Sequence, residues 1–368
     1  MPIEFIGFVS TSHESEIHGR EGPIVDVGYT RAFARAHEQA GFDRVLIGYF
    51  SNAPDGFVVA TDVAAHTERL GLLLAHRPGF VAPTLAARKL ATLDQFSGGR
   101  LAVHVISGGS DEDQRRDGDH LPHDARYRRT DEYLDVLKRI WTATTPVDHR
   151  GEHYQFEGAW SDVRCVSLPH VPIYFGGSSD IAVEIAGRHA DVYALWGEPL
   201  ADARAHVQRV MASAARWGRH PGISLSVRAI VAATEDEAWG RAHRILDAIR
   251  ARVGAGAHRP RAPQNTGSLR LLDAAARGEV HDKRLFTALA AATGAAGSTT
   301  ALVGTAEQVA ESMLDYVDIG VTTLLIRGYD PYDDLGDYAE VIRLVRAGVE
   351  RRDRAGPAGD VLAGPSRA

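Results

Sequence analysis

Short apolar runs rich in β-branched residues alternate, almost from end to end, with longer stretches whose apolar side chains recur at helical spacing. The runs 3–9, 44–48, 70–76, 101–107, 172–176, 192–196, 223–232 and 322–327 predict strands. Helices are predicted over 29–40, 83–95, 127–141, 181–188, 201–217, 235–249 and 338–349. In the third of these, Tyr133, Val136, Leu137 and Ile140 share one face, while Asp131, Asp135, Lys138 and Arg139 occupy the other. Strands that keep alternating with helices imply a parallel sheet, and eight such repeats imply that the sheet closes. The expectation is therefore an α/β fold, a (βα)8 TIM barrel with insertions, whose chemistry sits at the C-terminal ends of the strands.

Two stretches interrupt the rhythm. Residues 143–171 contain His153, Tyr154, Phe156 and Trp160 and are expected to form a hairpin-bearing excursion. Residues 252–301 contain Pro260, Pro263 and Gly267, then a run of Ala, Thr and Gly over 290–297. Their length and composition predict a mobile lid. The organisation expected is one barrel domain over 1–350 followed by a loose Gly/Pro/Ala-rich tail over 351–368.

Composition narrows the function classes. The 368 residues, 44% hydrophobic and 24% charged, suffice for a substantial core, which excludes disorder as the main state. A net charge of −7 argues against nucleic acid or an anionic membrane as the main partner. Cys165 is the single cysteine, so no internal disulfide or Cys-based metal site forms, as in a reducing, cytoplasmic setting. The start Met1-Pro2-Ile3-Glu4-Phe5 has no signal-peptide pattern, and no apolar run reaches the ~18 residues of a membrane span. Asp111, Glu112, Asp113, Asp117 and Asp119 read as an acidic loop rather than a metal cage, and no metal site is expected.

The candidate chemistry lies at strand ends. Tyr174-Phe175-Gly176-Gly177-Ser178-Ser179-Asp180 runs from a strand into a helix. It reads either as a phosphate cradle, built from close backbone approach, two hydroxyls and free helix N–H groups, or as a glycine turn with a serine N-cap. Tyr127, in Arg126-Tyr127-Arg128-Arg129, offers a phenol to the same anion; the alternative is a solvated basic turn. Trp196, in Leu195-Trp196-Gly197-Glu198-Pro199, places an indole at the barrel mouth or in the core. Among the histidines His13, His76 and His104 lie near strand ends, His76 being the candidate for the mouth. His104 alternates with Val103, Val105 and Ser107 and reads as a packed histidine.

Together, Gly98-Gly99-Arg100 after Thr92-Leu93-Asp94-Gln95-Phe96-Ser97, Arg77-Pro78 with Pro83-Thr84-Leu85-Ala86-Ala87-Arg88, the 174–180 segment and Trp196-Gly197-Glu198-Pro199 carry a resemblance. Over 5–349 the chain resembles the bacterial-luciferase-like flavin monooxygenases, and within them the alkanesulfonate monooxygenase group. The resemblance implies reduced FMN supplied by a separate NAD(P)H-dependent flavin reductase, O2 and a small-molecule substrate, and a homo-oligomer, dimer or tetramer. The absence of a Gly-x-Gly-x-x-Gly fingerprint after any strand agrees with an outside source of electrons. Carried over, the FMN phosphate falls to Gly177, Ser178, Ser179 and Tyr127, and the isoalloxazine to Ala75, His76 and Ser107. Tyr329 matches a family active-site tyrosine. Ala53 stands where alkanesulfonate enzymes carry a cysteine; Ser226-Val227-Arg228 stands where they carry Arg-x-His, or, with a two-residue gap, Arg228 matches the arginine and Ile230 the histidine; and 291–300 lacks the lid arginine.

Arg228 is accordingly expected at the mouth as the fixed positive charge, with Tyr329, His76 or water delivering the proton and the Trp196 indole at the same mouth; the alternative for Arg228 is an ordinary salt bridge at the strand end. The function implied is two-component, reduced-FMN-dependent oxygen insertion into a small organic substrate, of sulfonate or sulfone type. A deazaflavin-dependent oxidoreductase, or a flavin-binding barrel without monooxygenase activity, are the alternatives on the same fold.

Overall fold

The segment Leu72-Leu73-Leu74-Ala75 has no polar face, which suits only a strand covered on both sides. In the computed structural model, which describes residues 3–256, 265–330 and 332–355, it forms the centre of one strand of a closed parallel barrel. The barrel strands are β1 (Glu4–Val9), β2 (Arg44–Ile47), β3 (Gly71–His76), β4 (Leu101–Val105), β5 (Ile173–Gly176), β6 (Val192–Trp196), β7 (Gly222–Val231) and β8 (Thr323–Arg327). Each pairs in parallel with the next, and β8 closes on β1 through Glu4–Thr323, Phe5–Leu324 and Ile6–Leu325. All eight expected strands are present.

Alternation along each strand divides the side chains into two cores. Phe5, Leu72, Leu74, Val103, Phe175 and Leu225 point outward into the layer beneath the helices. Ile6, Leu73, Ala102 and Tyr174, with Leu46, Val192 and Leu325 against them, fill the barrel itself. Below this layer Glu4 accepts hydrogen bonds from Arg44 Nε and Tyr174 Oη, each at 2.6 Å, sealing the floor with a satisfied carboxylate. The barrel is therefore solid at one end, and any interior space lies at the other.

The helix Gly56–Ala65 escaped the sequence pattern because it is apolar nearly all round; Asp55 caps it by accepting from Val58 N at 3.0 Å. The first insertion does form a hairpin, Val147–Arg150 against Gln155–Ala159. Two carboxylates tie this insertion down. Glu132 accepts from His153 N and Tyr154 N at 2.8 and 2.9 Å, and fully buried Asp94 accepts from Val166 N and Ser167 N at 2.7 and 2.9 Å.

The second insertion departs from the expected loop. It holds the helix Thr266–Arg277, the short strands Val280–His281 and Leu285–Phe286, the helix Ala288–Thr293, and a strand Ala301–Gly304 parallel to the far half of β7. Its small residues make a helix and close packing rather than slack chain. Residues 257–264, with Pro260 and Pro263, lie outside the described residues. The expected tail is likewise shorter: the helix Leu335–Ala355 runs through its first five positions, and 356–368 lie outside the described residues. No helix among the described residues is long and apolar enough to cross a membrane, and no cluster of potential metal ligands occurs among them.

Burial pushes four imidazoles, those of His37, His76, His104 and His206, down to about 4. The folded protein therefore keeps them neutral where the unfolded chain takes up protons below about pH 6.5. Since the unfolded state binds more protons, stability is full above that pH and falls as pH drops toward 4. Melting temperatures should decline already between pH 6.5 and 5, before most carboxylates titrate, and His37→Gln should make the decline shallower. A flat profile over that interval would contradict neutral buried imidazoles.

Candidate active site at the barrel mouth

Continuing the inward parity one step past the barrel core brings Phe8, Ala75, His104, Gly176, Ala194, Trp196, Arg228 and Arg327 to the C-terminal mouth. Phe8, His104, Gly176, Ala194 and Arg327 are partly exposed although they face inward, whereas their outward neighbours Val105, Phe175, Leu195 and Ile326 are buried. Solvent thus enters the barrel from this end. Ala75, Gly176 and Ala194 leave one side of the mouth without bulk, and the His104 imidazole stands among them. Its Cε1 would lie 3.6 Å from a Cβ on Gly176. Its Nδ1 is buried without a hydrogen-bond partner.

This reverses the expectation for two histidines. His104 faces the site, because the outward positions of β4 belong to Val103 and Val105. His76 shares its face with Leu72 and Leu74 and points away from the mouth, beneath the helices. There its Nε2 meets Tyr133 Oη at 2.6 Å and its ring meets Phe57 edge-on at 5.8 Å. Ser107 is also turned away, its hydroxyl donating to Thr130 Oγ1 at 2.9 Å and its carbonyl accepting from Gln114 Nε2 at 2.9 Å. Of the three residues expected around a flat ring, Ala75 alone faces the mouth.

The Gly177-Ser178-Ser179 turn lies at the rim, between β5 and the helix Asp180–His189. Gly177 has φ of +139°, and a Cβ there would come within 2.6 Å of Tyr127 Oη and 2.8 Å of Ala182 Cβ. Only glycine fits. Ser179 is the helix N-cap, accepting from Ala182 N at 3.4 Å, so the capping reading holds. The hydroxyls nonetheless converge. Tyr127 is within hydrogen-bonding reach of Ser179 and Tyr193 of Ser178, while Tyr193 Oη donates to the Gly177 carbonyl at 2.5 Å and contacts His206 Nε2 at 2.7 Å. Burial raises the Tyr127 phenol to about 12, so it stays a neutral donor.

The basic run beside Tyr127 lies inside the helix His123–Thr142, where Arg128 is exposed as the solvated reading expects but Arg126 and Arg129 are enclosed and paired. Arg126 Nη2 donates to Asp111 at 2.8 Å, Arg129 Nη2 to Asp119 at 2.5 Å, and Arg77 pairs with Asp113 while stacking on Tyr49 at 4.6 Å. The acidic stretch 111–119 thereby acts as the set of counter-ions for these arginines.

Across the mouth, Arg228 faces inward as expected, but its fork is fully engaged. Nε donates to Ser298 O at 2.9 Å, Nη1 to Gly328 O at 2.7 Å and Nη2 to Glu16 Oε1 at 2.5 Å. Its guanidinium lies 4.7 Å above the Tyr329 ring. Tyr329 itself is buried, and its hydroxyl donates to Thr299 O at 2.9 Å, so no free phenol faces the site; burial pushes its pKa up. Burial alone would raise the Glu16 carboxyl, yet Arg228 and then Arg327 overcome it and bring it to about 2. Sequence reasoning missed Glu16 and Arg327; the parity of β8 marks the second, whereas nothing local marks a glutamate in the loop after β1.

Trp196 forms the contact between barrel and second insertion. It packs with Leu271, Leu272, Ala290 and Ala295, and a Cβ on Gly267 would come 3.1 Å from its ring. Arg270 clamps Glu198 through two hydrogen bonds, and Arg277 pairs with Asp202. Opposite, the Asn265 side chain would lie 3.5 Å from a Cβ on Gly109 in the loop after β4, so the insertion spans the mouth.

The comparisons agree with this architecture. A riboflavin lyase solved with modified FMN and riboflavin superposes with a TM-score of 0.76 at 19% identity, covering 96% of this chain and 92% of that one. EDTA monooxygenase from Chelativorans sp. BNC1 gives 0.75 at 16% identity, covering 96% and 95%. An F420-dependent secondary alcohol dehydrogenase gives 0.70 at 16% identity, covering 94% and 99%. At such identities the likeness establishes the fold. Residues 3–323 match the family model of the luciferase-like monooxygenases, and the chain belongs to that family.

Proposed function

We propose that this chain is a reduced-FMN-dependent monooxygenase of the two-component kind, taking reduced flavin from a separate NAD(P)H-dependent reductase and inserting one oxygen atom of O2 into a small organosulfur compound. The observation that carries the reading is the Gly177-Ser178-Ser179 turn closed by Tyr127, set beside a mouth lined by small residues. A glycine whose Cβ would collide with a phenol, two convergent hydroxyls and the first N–H groups of a ten-residue helix suit a phosphate monoester. Ala75, Gly176 and Ala194 suit a flat ring, and the unpartnered Nδ1 of His104 suits a polar edge of that ring. The organosulfur part of the reading rests on the sequence resemblance.

When bound, reduced FMN supplies the electrons that activate O2. The chain's own residues do the rest. Ser178, Ser179 and Tyr127 hold the phosphate, and His104, neutral because enclosed, donates or accepts one hydrogen bond without adding charge. Arg228 supplies a positive charge already oriented by three acceptors, which stabilises developing negative charge without reorganisation. It cannot release a proton near neutral pH, Tyr329 is committed to Thr299 and His104 is already neutral, so protons come from water. Trp196 with Leu271, Ala290 and Ala295 gives the mouth an apolar wall on the side of the second insertion, which limits the approach of water from that side.

Ser178→Ala leaves the helix cap intact and should weaken FMN binding; adding Ser179→Ala should bring the loss to about 1–3 kcal/mol, seen as a roughly 5- to 150-fold higher Kd by flavin fluorescence. With chemically reduced FMN under air and a panel of sulfonates and sulfones, wild-type chain should form an oxygenated product. Turnover with reduced F420 under anaerobic conditions, or unaltered FMN affinity in the double variant, would contradict the reading.

A further inference from the structure

Arg228 and Arg327 are register partners on β7 and β8, and their guanidinium groups share one counter-ion, Glu16. Two fixed cations and one carboxylate leave the cluster with one positive charge in excess. Among the described residues no other carboxylate forms an ion pair with either arginine.

The two arginines differ in what they leave unused. Arg228 is 4% exposed in its side chain and places all three of its nitrogens on protein acceptors. Among the described residues Arg327 makes a single hydrogen bond, 3.3 Å from Nη2 to the same Glu16 oxygen that Arg228 already occupies at 2.5 Å. Its Nε is buried without a partner. Its side chain remains 29% exposed, facing the open mouth, with the guanidinium stacked 4.6 Å over the Phe8 ring. Enclosure first, and the adjacent Arg228 second, push it down to about 10, so it is charged at neutral pH but poorly compensated. An enclosed guanidinium with idle donors and excess charge is an unfavourable arrangement that a bidentate oxyanion would relieve.

We propose that Arg327 is the docking cation for an oxyanionic head group, a sulfonate or carboxylate, on the organic substrate. Glu16 and Phe8 hold the guanidinium in place, and Arg228 adds to the field. The assignment rests on the mouth being the substrate site of the reaction proposed above, and it narrows that substrate from organosulfur compounds in general to anionic ones. The competing role for Arg327 is simply to neutralise Glu16, a task that Arg228 already performs with the shorter bond.

The test is a calorimetric titration of the chain saturated with oxidised FMN, using 1-pentanesulfonate, pentanoate and the neutral butyl methyl sulfone as probes. Both anions should bind at least tenfold more tightly than the sulfone. Arg327→Gln should erase that preference, and Arg327→Lys should retain part of it. Glu16→Gln, nearly isosteric, should tighten anion binding several-fold by releasing both arginines, an effect a purely structural pair would not produce. Equal binding of anions and sulfone, no binding of any probe, a preference that survives Arg327→Gln, or weaker anion binding in Glu16→Gln would each overturn the proposal. FMN saturation is measured first: a wild-type chain that binds no FMN overturns the flavin reading instead, and the same titration on the flavin-free chain still decides the role of Arg327.

Discussion

In a closed barrel each strand has one face against the helices and one against its fellow strands, and a shift of one residue exchanges them. That parity decides which side chains meet at the mouth. Ala75 faces in and His76 faces out; His104 faces in and Val103 faces out; Arg228 and Arg327 fall on the same inward row because their strands are in register. The floor built from Glu4, Arg44 and Tyr174 closes the other end, so the polar groups that remain inside the barrel can meet a ligand from one direction only.

The electrostatics of the mouth follow from enclosure. On the rim near Tyr127, Arg77, Arg126 and Arg129 each have their own aspartate, supplied by the acidic stretch after β4, which leaves a neutral and rigid frame. On the far side the ledger is uneven, with two arginines to one glutamate. The positive character of the site is therefore local to Arg228 and Arg327, in a chain whose net charge is negative. Trp196 and the apolar residues packed with it line the side of the mouth formed by the second insertion.

Much of the framework was legible in the sequence, because β-branched runs and one-faced helices carry their periods openly. All eight strands followed from that pattern and the first hairpin from its interruption, while the glycine–serine turn was legible in its residue types and the inward Arg228 in the family resemblance. The helix Gly56–Ala65 was not legible, since a segment apolar all round shows no face, and the helices of the second insertion were hidden by composition that resembles loop. His76 and His104 were misread for a different reason: periodicity reveals that two faces exist but not which one lies inside. Only the identity of the neighbours, here Leu72 and Leu74 against the helices and Leu73 within, settles it. Glu16 had no signal, being brought to Arg228 across 212 positions of chain by closure of the barrel.

A crystal structure of the chain soaked with oxidised FMN tests the central claim most directly. The phosphate should lie against Ser178, Ser179 and the Tyr127 hydroxyl, with the ring in the mouth beside Ala75, His104, Gly176 and Ala194 and a hydrogen bond at His104 Nδ1. A flavin bound outside the mouth, or a phosphate placed away from the Gly177-Ser178-Ser179 turn, would contradict it.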